Sequence, residues 1–311
     1  MIRHESGWAS VEAVAQDFDR QVSKRLSGTA RIYCYEDSAL STFRAAARMG
    51  IRRYYELPIM YWQTVRRLLR EEAERYPEWE PTLLATRDSN AKLERKSAEL
   101  QLADLVICPS RQVQESLPSG TPSLVAEYGC PEPVSERPRR DNSRLKVLFV
   151  GSMTQRKGLA DLFSAMKLLN RPDVELIVLG TPLLPLEFYR REYPDFVYEP
   201  VRPNAEVRRL MLECDVLVLP SIVEGRAMVQ MEALSCGLPI IVTPNAGAED
   251  LVEEQRTGFL VPIRAPEKLA ETIGWIADHK EWVDEVRPAV LERARRSGWG
   301  KYTSKILAAI V

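Results

Sequence analysis

The chain has 311 residues, with 43 Lys and Arg against 44 Asp and Glu and a formal net charge of -1. That length predicts two domains, each with its own core, and the apolar fraction of 45% excludes a disordered or fibrous chain. The balanced charge argues against a protein whose main ligand is nucleic acid.

The first part of the chain predicts alternating helices and strands. Residues 11–26 predict an amphipathic helix. Its apolar face is formed by Val11, Val14, Phe18, Val22 and Leu26. Further helices are predicted over 39–49, 61–76 and 91–102, and strands over 31–35, 53–57, 104–109 and 123–128. This alternation predicts a parallel sheet flanked by helices.

The stretch 129–144 interrupts the pattern, because it contains three prolines within eight residues together with several arginines. Pro-rich polar segments do not enter the interior of a packed sheet. We therefore expect an N-terminal domain over 1–136 and a C-terminal domain over 137–311.

The second half predicts one complete doubly wound α/β domain. Strands are predicted over 145–150, 174–179, 196–198, 216–220 and 239–242, and helices over 159–170, 205–214 and 228–235. Asn204 is the predicted N-cap of the helix 205–214. From residue 265 onward the sequence predicts mostly helix.

Cysteine and histidine patterns exclude several kinds of site. The five cysteines are odd in number and show no C-x-x-C pairing, which favours free thiols in a reducing compartment. With His4 and His279 as the two histidines, a histidine zinc site or a Ser-His-Asp triad cannot be assembled. The first 25 residues lack a signal-peptide pattern, and no apolar run approaches the ~18 residues of a membrane span. We expect a cytoplasmic protein.

The first chemical motif follows the strand 145–150. Gly151 ends the strand, and a cationic turn with Arg156 and Lys157 precedes Gly158. Ligands of open α/β sheets bind beyond the carboxyl ends of strands, and helix N-termini bind anions. Lys157 would bind a phosphate there, although a plain turn with a solvated lysine fits equally well. The spacing matches neither the ATP-type phosphate loop nor the dinucleotide fingerprint.

The second motif spans 224–239 and contains two carboxylates. Glu224 is predicted in a loop and Glu232 in the following helix. Glu232 has apolar neighbours, where a carboxylate needs a partner such as a ligand hydroxyl. A surface glutamate on an amphipathic helix is the alternative.

Together the two motifs resemble the retaining glycosyltransferases of family 4, which have the GT-B fold. The shared pattern comprises Gly151, Lys157, Gly158, Pro220-Ser221, Glu224-Gly225, the run E-A-L-x-C-G-x-P that begins at Glu232, and Gly258. The resemblance implies an α/β protein with two Rossmann-like doubly wound domains facing a cleft, and a C-terminal helix with Trp299 and Tyr302 that crosses back to the first domain. It also implies a retaining hexosyltransferase that uses a nucleotide diphosphate sugar, without metal or cofactor.

The resemblance also implies roles for individual residues. Lys157 would contact the diphosphate, Glu224 a donor-sugar hydroxyl, and Glu232 the ribose hydroxyls. The other donor-site positions are Gly151, Ser152, Arg156, Pro200, Val201, Arg226, Ala227, Met228 and Val229. Of these, the backbone amides of 227–229 would face the sugar and phosphates, and the main chain of 200–201 would hold the base. Fixed N–H groups and a lysine can stabilise the charge that develops on a leaving diphosphate.

The sequence departs from the family in several places. Ser152 stands where the family usually has Arg, and Arg226-Ala227 where it has Phe-Gly; Arg156 or Arg226 could supply the lost charge, or Arg226 could block the donor pocket. The family's opening strand and Gly-rich loop have no counterpart before Val11, and Tyr33 or Cys34 stands near the place of a family histidine. The first domain is therefore expected to be incomplete. A weakly active or inactive nucleotide-sugar-binding or partner-binding module remains the alternative, and the sugar-nucleotide epimerases fit less well.

The N-terminal half resembles a bacterial branch of the family that acts on cell-surface glycans, which implies a glycan or lipid-linked acceptor. This resemblance rests on 33–37, 42–46, 55–58 and 70–72. Two readings remain open for Tyr54, Tyr55, Tyr61 and Trp62 with Arg66, Arg67 and Arg70: a lipid- or acceptor-facing surface with peripheral membrane contact, or core aromatics beside a solvated basic face. Asp17 and Asp19 match a D-x-D motif, but on a helix they point about 200° apart and predict a solvated face.

Overall fold

The computed structural model describes residues 10–134 and 143–311. The strands are β1 (Arg31–Tyr35), β2 (Arg52–Glu56), β3 (Leu105–Cys108), β4 (Ser123–Val125), β5 (Leu145–Val150), β6 (Val174–Leu179), β7 (Phe196–Glu199), β8 (Val216–Leu219), β9 (Ile240–Val242) and β10 (Gly258–Leu260). The helices are α1 (Val11–Val22), α2 (Leu40–Arg48), α3 (Trp62–Arg75), α4 (Asn90–Leu102), α5 (Arg111–Glu115), α6 (Leu159–Leu169), α7 (Leu186–Glu192), α8 (Asn204–Glu213), α9 (Met228–Ser235), α10 (Pro266–Asp278), α11 (Trp282–Arg296) and α12 (Trp299–Ile310). His4 and the predicted boundary at 136/137 lie outside the described residues, and the division into two domains stays a prediction.

The described strands form two sheets in which all pairs are parallel, as the α/β class requires. The second sheet has the order β10-β9-β8-β5-β6-β7. The chain winds outward from its centre in both directions, so the winding direction reverses between β5 and β8. In such sheets the ligand crevice lies at the carboxyl ends of the two strands at the reversal.

The described strands of the first sheet have the order β1-β2-β3-β4. They follow one another in a single direction, as one half of a doubly wound sheet does. The incompleteness of the first domain stays a prediction.

The cores of the two halves interpenetrate. Strands β5, β6 and β8 of the second sheet are apolar except for Lys146 and Glu175, as expected for a parallel sheet with helices on both faces. Its core also takes in Trp79 from the first half of the chain. Conversely, Ile222 and Val223 leave β8 and pack into the core of the first sheet. Each half thus depends on side chains from the other.

The N-terminal helix differs from its prediction. It ends at Val22 rather than at residue 26, and most of the predicted core face is exposed, with Val11 83%, Val14 59% and Phe18 62% accessible. What α1 buries instead is Asp19, which was predicted to be solvated. The Asp19 carboxylate accepts bonds at 2.6 and 2.9 Å from the backbone N–H groups of Ser41 and Thr42. It thereby satisfies free donors in the first turn of α2.

Helix α12 packs against the first sheet around one buried carboxylate. Glu56, at the end of β2, accepts hydrogen bonds from the hydroxyls of Tyr33 (2.6 Å), Tyr302 (3.3 Å) and Tyr128. The Trp299 ring stacks on Tyr128, with ring centroids 5.9 Å apart. Burial and the Glu56 carboxylate raise the pKa of Tyr33 and of Tyr128, so both phenols stay protonated donors.

Two short helices, α5 and α7, were not predicted, because five and seven residues are too few to show a helical period. In the part of the chain that the structure describes, no helix combines the length and apolar character needed to cross a membrane.

Candidate functional site

Two loops meet at the carboxyl ends of β5 and β8, where the winding of the second sheet reverses. The turn Gln155–Lys157 follows β5, and the loop with Glu224 follows β8. The backbone N–H groups of Ile222 and Val223 donate to the carbonyl oxygen of Arg156 at 2.9 and 3.2 Å. The sequence motifs that were predicted to share a site are therefore brought together.

Two glycines of the motif make this approach possible. Gly151 has φ 150°, and a β-carbon there would lie 2.7 Å from Cδ of Lys157. Gly158 has φ 74°, and its β-carbon would lie 2.0 Å from the carbonyl oxygen of Pro220. The lysine stem thus lies across the end of β5, in space that any other residue at 151 would occupy.

At the centre of the site two cations share one carboxylate oxygen. Nζ of Lys157 lies 2.5 Å and Nη1 of Arg156 lies 2.8 Å from Oε1 of Glu224. The Lys157 and Glu224 side chains are each 12% exposed. The cluster carries one more positive than negative charge, which suits an anionic ligand.

The ionisation of these groups follows from their surroundings. Burial raises the pKa of Glu224, but Arg156 and Lys157 outweigh it and hold that pKa below its ordinary value. Burial lowers the pKa of Lys157 and Arg156 adds to this, whereas Glu224 opposes both. Glu224 therefore stays ionised at neutral pH.

Helix α9 begins beside this cluster and supplies backbone donors. The amide of Ala227 donates to Ala246 O at 3.4 Å. Among the described residues, no acceptor is bonded to the amides of Met228 and Val229, the first two residues of α9. These N–H groups and the helix dipole favour an anion at this end.

The guanidinium of Arg226 is buried and paired with other groups of the protein. Its side chain is 1% exposed, and the guanidinium forms a bidentate ion pair with Asp250, at 2.5 and 3.1 Å. It also donates to the carbonyl oxygens of Tyr128 (3.1 Å) and Gly247 (3.0 Å). In this structure the guanidinium neutralises Asp250 and joins the two halves of the chain.

Glu232 lies on α9, as predicted, and is half-buried. Its Oε1 accepts a bond at 2.8 Å from the side-chain amide of Asn204. The prediction of Asn204 as an N-cap was wrong, because Asn204 is the first residue of α8 and Pro203 stands at the cap. The other carboxylate oxygen of Glu232 accepts no hydrogen bond from the described residues.

The remaining predicted donor-site residues lie at the rim. Ser152 is half-buried next to Gly151, and Val201 is 63% exposed after β7. Pro200, beside it, is also exposed. No described contact ties these three residues to the cluster of Lys157 and Glu224.

The first half of the chain closes directly on the loop after β8. A β-carbon on Gly225 would lie 1.7 Å from the carbonyl oxygen of Pro58. The hydroxyl of Ser110, after β3, donates to the carbonyl oxygen of Gly225 at 2.6 Å. The cluster therefore lies at the edge of the contact between the two sheets.

One residue of the site was missed by sequence reasoning. Gln155 is completely buried, and its side-chain amide joins Glu72 of α3 to Asp161 of α6. A glutamine between two polar residues gives no sequence signal, because its partner Glu72 is 83 residues away.

The aromatic and basic residues near α3 do not join this site. Tyr54, Tyr55 and Tyr61 are buried in the core, as the second of the two readings expected. Trp62 is half-buried and donates to the Ser97 hydroxyl at 3.0 Å. Within residues 10–134 and 143–311, no group of three or more His, Cys, Asp or Glu side chains is placed to hold a metal ion.

Comparison with known sequences gives one family and several partial relatives. The family described as Glycosyl transferases group 1 matches residues 144–279. A putative colanic acid biosynthesis glycosyltransferase, WcaL of Escherichia coli K12, is 29% identical over 49% of this chain and 40% of its own length. A D-inositol 3-phosphate glycosyltransferase of Pseudarthrobacter chlorophenolicus is 30% identical over 52% of this chain and 41% of its own length. The matches thus span about two fifths of these relatives.

Comparison with solved structures covers nearly the whole chain. A sucrose-phosphate synthase of Thermosynechococcus elongatus superposes with a TM-score of 0.74 at 19% identity, over 99% of this chain and 79% of that one. HepE of Anabaena, solved in complex with UDP, gives 0.69 at 17% identity, over 94% and 81%. These likenesses confirm the GT-B fold that the sequence motifs predicted.

Proposed function

We propose that the chain transfers a sugar from a nucleotide diphosphate sugar to an acceptor, because the family described as Glycosyl transferases group 1 matches residues 144–279. The observation that carries this proposal is the pairing of Lys157 with Glu224 beside the N-terminus of α9. A cation and unused backbone donors meet there at the winding reversal of a doubly wound sheet. This arrangement suits a diphosphate whose attached sugar reaches Glu224.

The donor binds by exchange of partners within the cluster. In the structure described here Glu224 is paired with both Lys157 and Arg156. When a diphosphate enters, its oxygens take over Lys157 and the amides of Met228 and Val229. Glu224, released from Lys157, then accepts a hydrogen bond from a hydroxyl of the donor sugar. HepE has been solved with UDP-glucose, which supports a donor of this class.

Catalysis consists of stabilising the leaving group. As the bond from the sugar to the diphosphate breaks, its electron pair moves to the diphosphate oxygen. The hydroxyl oxygen of the acceptor forms the new bond to the sugar, and its proton passes to the departing diphosphate. Lys157 and the amides of α9 are in place before the reaction and interact more strongly with that growing charge than with the intact donor. We propose that the reaction retains the anomeric configuration and uses no metal.

The acceptor is proposed to be a glycan or a lipid-linked glycan precursor of a bacterial envelope. Support comes from the name of WcaL, a putative colanic acid biosynthesis glycosyltransferase.

The five cysteines are free and buried, which suits a reducing compartment. We therefore propose that the reaction takes place in the cytoplasm.

A second function, nucleotide-sugar binding without turnover, is favoured by a different observation. The described strands of the first sheet wind in one direction only, and Pro58 packs directly on Gly225. Acceptor binding depends on this first half. Both functions require a donor site, but transfer alone requires an acceptor site.

The test measures binding of UDP, GDP and ADP by calorimetry and sugar release from a panel of nucleotide sugars by product analysis. We expect one nucleoside diphosphate to bind, and Lys157→Ala to weaken it on the order of tenfold or more, because a hydrogen bond to a charged group is lost. The matched control is Lys268→Ala, which removes an exposed lysine on α10 and is expected to leave binding unchanged.

Failure of the unsubstituted chain to bind any of the three diphosphates would contradict both functions. Binding without release of sugar from any member of the panel would favour the second function. Release of sugar at a rate that depends on Lys157 would show that the donor site cleaves the bond to the diphosphate and would favour the first function.

A further inference from the structure

The turn that carries Lys157 is held from the first half of the chain through Gln155. The Nε2 group of Gln155 donates to Oε2 of Glu72 at 2.6 Å and to Oδ2 of Asp161 at 2.8 Å. Its Oε1 accepts from the backbone N–H of Ala160 at 2.9 Å, in the first turn of α6. Both hydrogens of the amide and its oxygen are therefore used, which fixes the side chain in one orientation.

The partner across the interface is itself held firmly. Glu72 on α3 is fully buried and also accepts from Nε of Arg264 at 2.5 Å and from Nη1 of Arg75 at 3.0 Å. Arg75 continues to Asp161 at 3.2 Å. Arg264 also pairs with Glu71 at 2.8 Å, so the two arginines connect three carboxylates, and a buried polar network whose members are hydrogen-bonded is rigid.

This network is continuous with the donor cluster. Arg156 and Lys157 directly follow Gln155 in one short turn. The carbonyl oxygen of Arg156 holds the loop that bears Glu224, and both cations reach the Glu224 carboxylate. A shift of Gln155 therefore moves the two cations together with the loop of Glu224.

We propose that Gln155 is a positioning residue, through which Glu72 of the first half places Lys157 for the diphosphate. Gln155 itself touches no substrate. The inference rests on the proposed function, because it concerns the same donor site. It means that the first half of the chain contributes to donor binding without contacting the donor.

The experiment compares the affinity for a nucleoside diphosphate with that for its nucleoside. The probe is whichever of UDP, GDP and ADP binds the unsubstituted chain most tightly, together with uridine, guanosine or adenosine. Gln155→Met removes the amide at nearly constant volume. We expect the diphosphate to bind on the order of tenfold more weakly, because Lys157 loses its position, while the nucleoside binds as before.

A variant on the other side of the interface tests the same link. Glu72→Gln keeps Gln155 but removes the carboxylate, and we expect a loss in the same direction. The matched control is Gln112→Met. It removes another bond between the two halves, the 3.2 Å contact of Gln112 with Glu249, which touches no residue of the donor cluster. We expect both affinities of this control to stay within about twofold.

The outcomes separate the two proposals. If the unsubstituted chain binds none of the diphosphates, the proposed function fails and this inference falls with it. If it binds one and the variants at 155 and 72 bind equally well, the inference alone is overturned. It is also overturned if nucleoside and diphosphate affinities fall equally, or if neither variant folds by circular dichroism, because the network then serves only folding.

Discussion

Arg226 illustrates how a buried charge is committed by its surroundings. Sequence reasoning left two roles for it, the replacement of a missing phosphate cation and the blocking of the donor pocket. Its partner Asp250 and the carbonyl oxygens of Tyr128 and Gly247 lie far from it in sequence and in no recognisable pattern. Residue roles that depend on such distant partners, as for Gln155 and Asn204, could not be predicted from the chain alone. That Lys157 and Glu224 lie in one site could be predicted, because each is in a loop that follows the carboxyl end of a predicted strand of the second sheet.

We expect Arg226→Met to destabilise the fold by about 2 kcal/mol, because the two carbonyl groups lose their donor. Asp250 is 42% exposed, so its charge regains water and adds little to the loss. Urea denaturation measures the change. Arg256→Met is the matched control, since Arg256 is 70% exposed in an ion pair with Glu253. Equal unfolding midpoints for the two variants would contradict a structural role of Arg226.

The elements themselves were largely predictable. Strands β5 to β9 of the second sheet and helix α9 have the predicted positions within one or two residues, because apolar runs and glycines mark their ends, whereas the three-residue strand β10 was not predicted. Helix α1 shows what a hydrophobic period in a sequence does not reveal. Its period identified a helix but not the face that is buried, because the side chain that α1 buries is the carboxylate of Asp19. A hydrophobic pattern is read from apolar side chains alone, so it does not indicate that a carboxylate is buried because it caps a neighbouring helix.

The exposed face of α1 makes a clear contrast in stability. Phe18→Ser is expected to change the free energy of unfolding by less than about 0.5 kcal/mol, because the ring is already in water. Leu26→Ala, at a side chain that is 4% exposed, is expected to cost about 3 kcal/mol. Denaturant titration of both variants checks this. A large loss for Phe18→Ser would mean that the ring is covered in solution.

At the scale of the whole molecule, the two sheets share their cores and a network of buried charges. Trp79 packs with the second sheet, whereas Ile222 and Val223 pack with the first. The two-sheet architecture was predictable from the alternation of elements and from the resemblance to family 4. The exchange of core side chains could not be predicted, because an apolar residue in a sequence does not indicate which of two cores it will join.

This exchange predicts one cooperative unfolding transition for both sheets. Val223→Ala should lower the stability of the whole chain by about 2 kcal/mol, because a fully buried side chain is truncated. Tryptophan fluorescence and far-ultraviolet circular dichroism should report the same midpoint. Two separate transitions, with only one shifted by the substitution, would contradict the shared core.

The contact at Gly225 has a consequence for how the molecule could be engineered. The carbonyl oxygen of Pro58 approaches Gly225 so closely that there is room for only a hydrogen on the α-carbon of Gly225 between the two halves. A methyl group at this position would clash with the carbonyl oxygen of Pro58 and push the two halves apart, while every charged side chain of the donor cluster would remain. The size of the side chain at position 225 therefore controls the distance between the two halves of the chain.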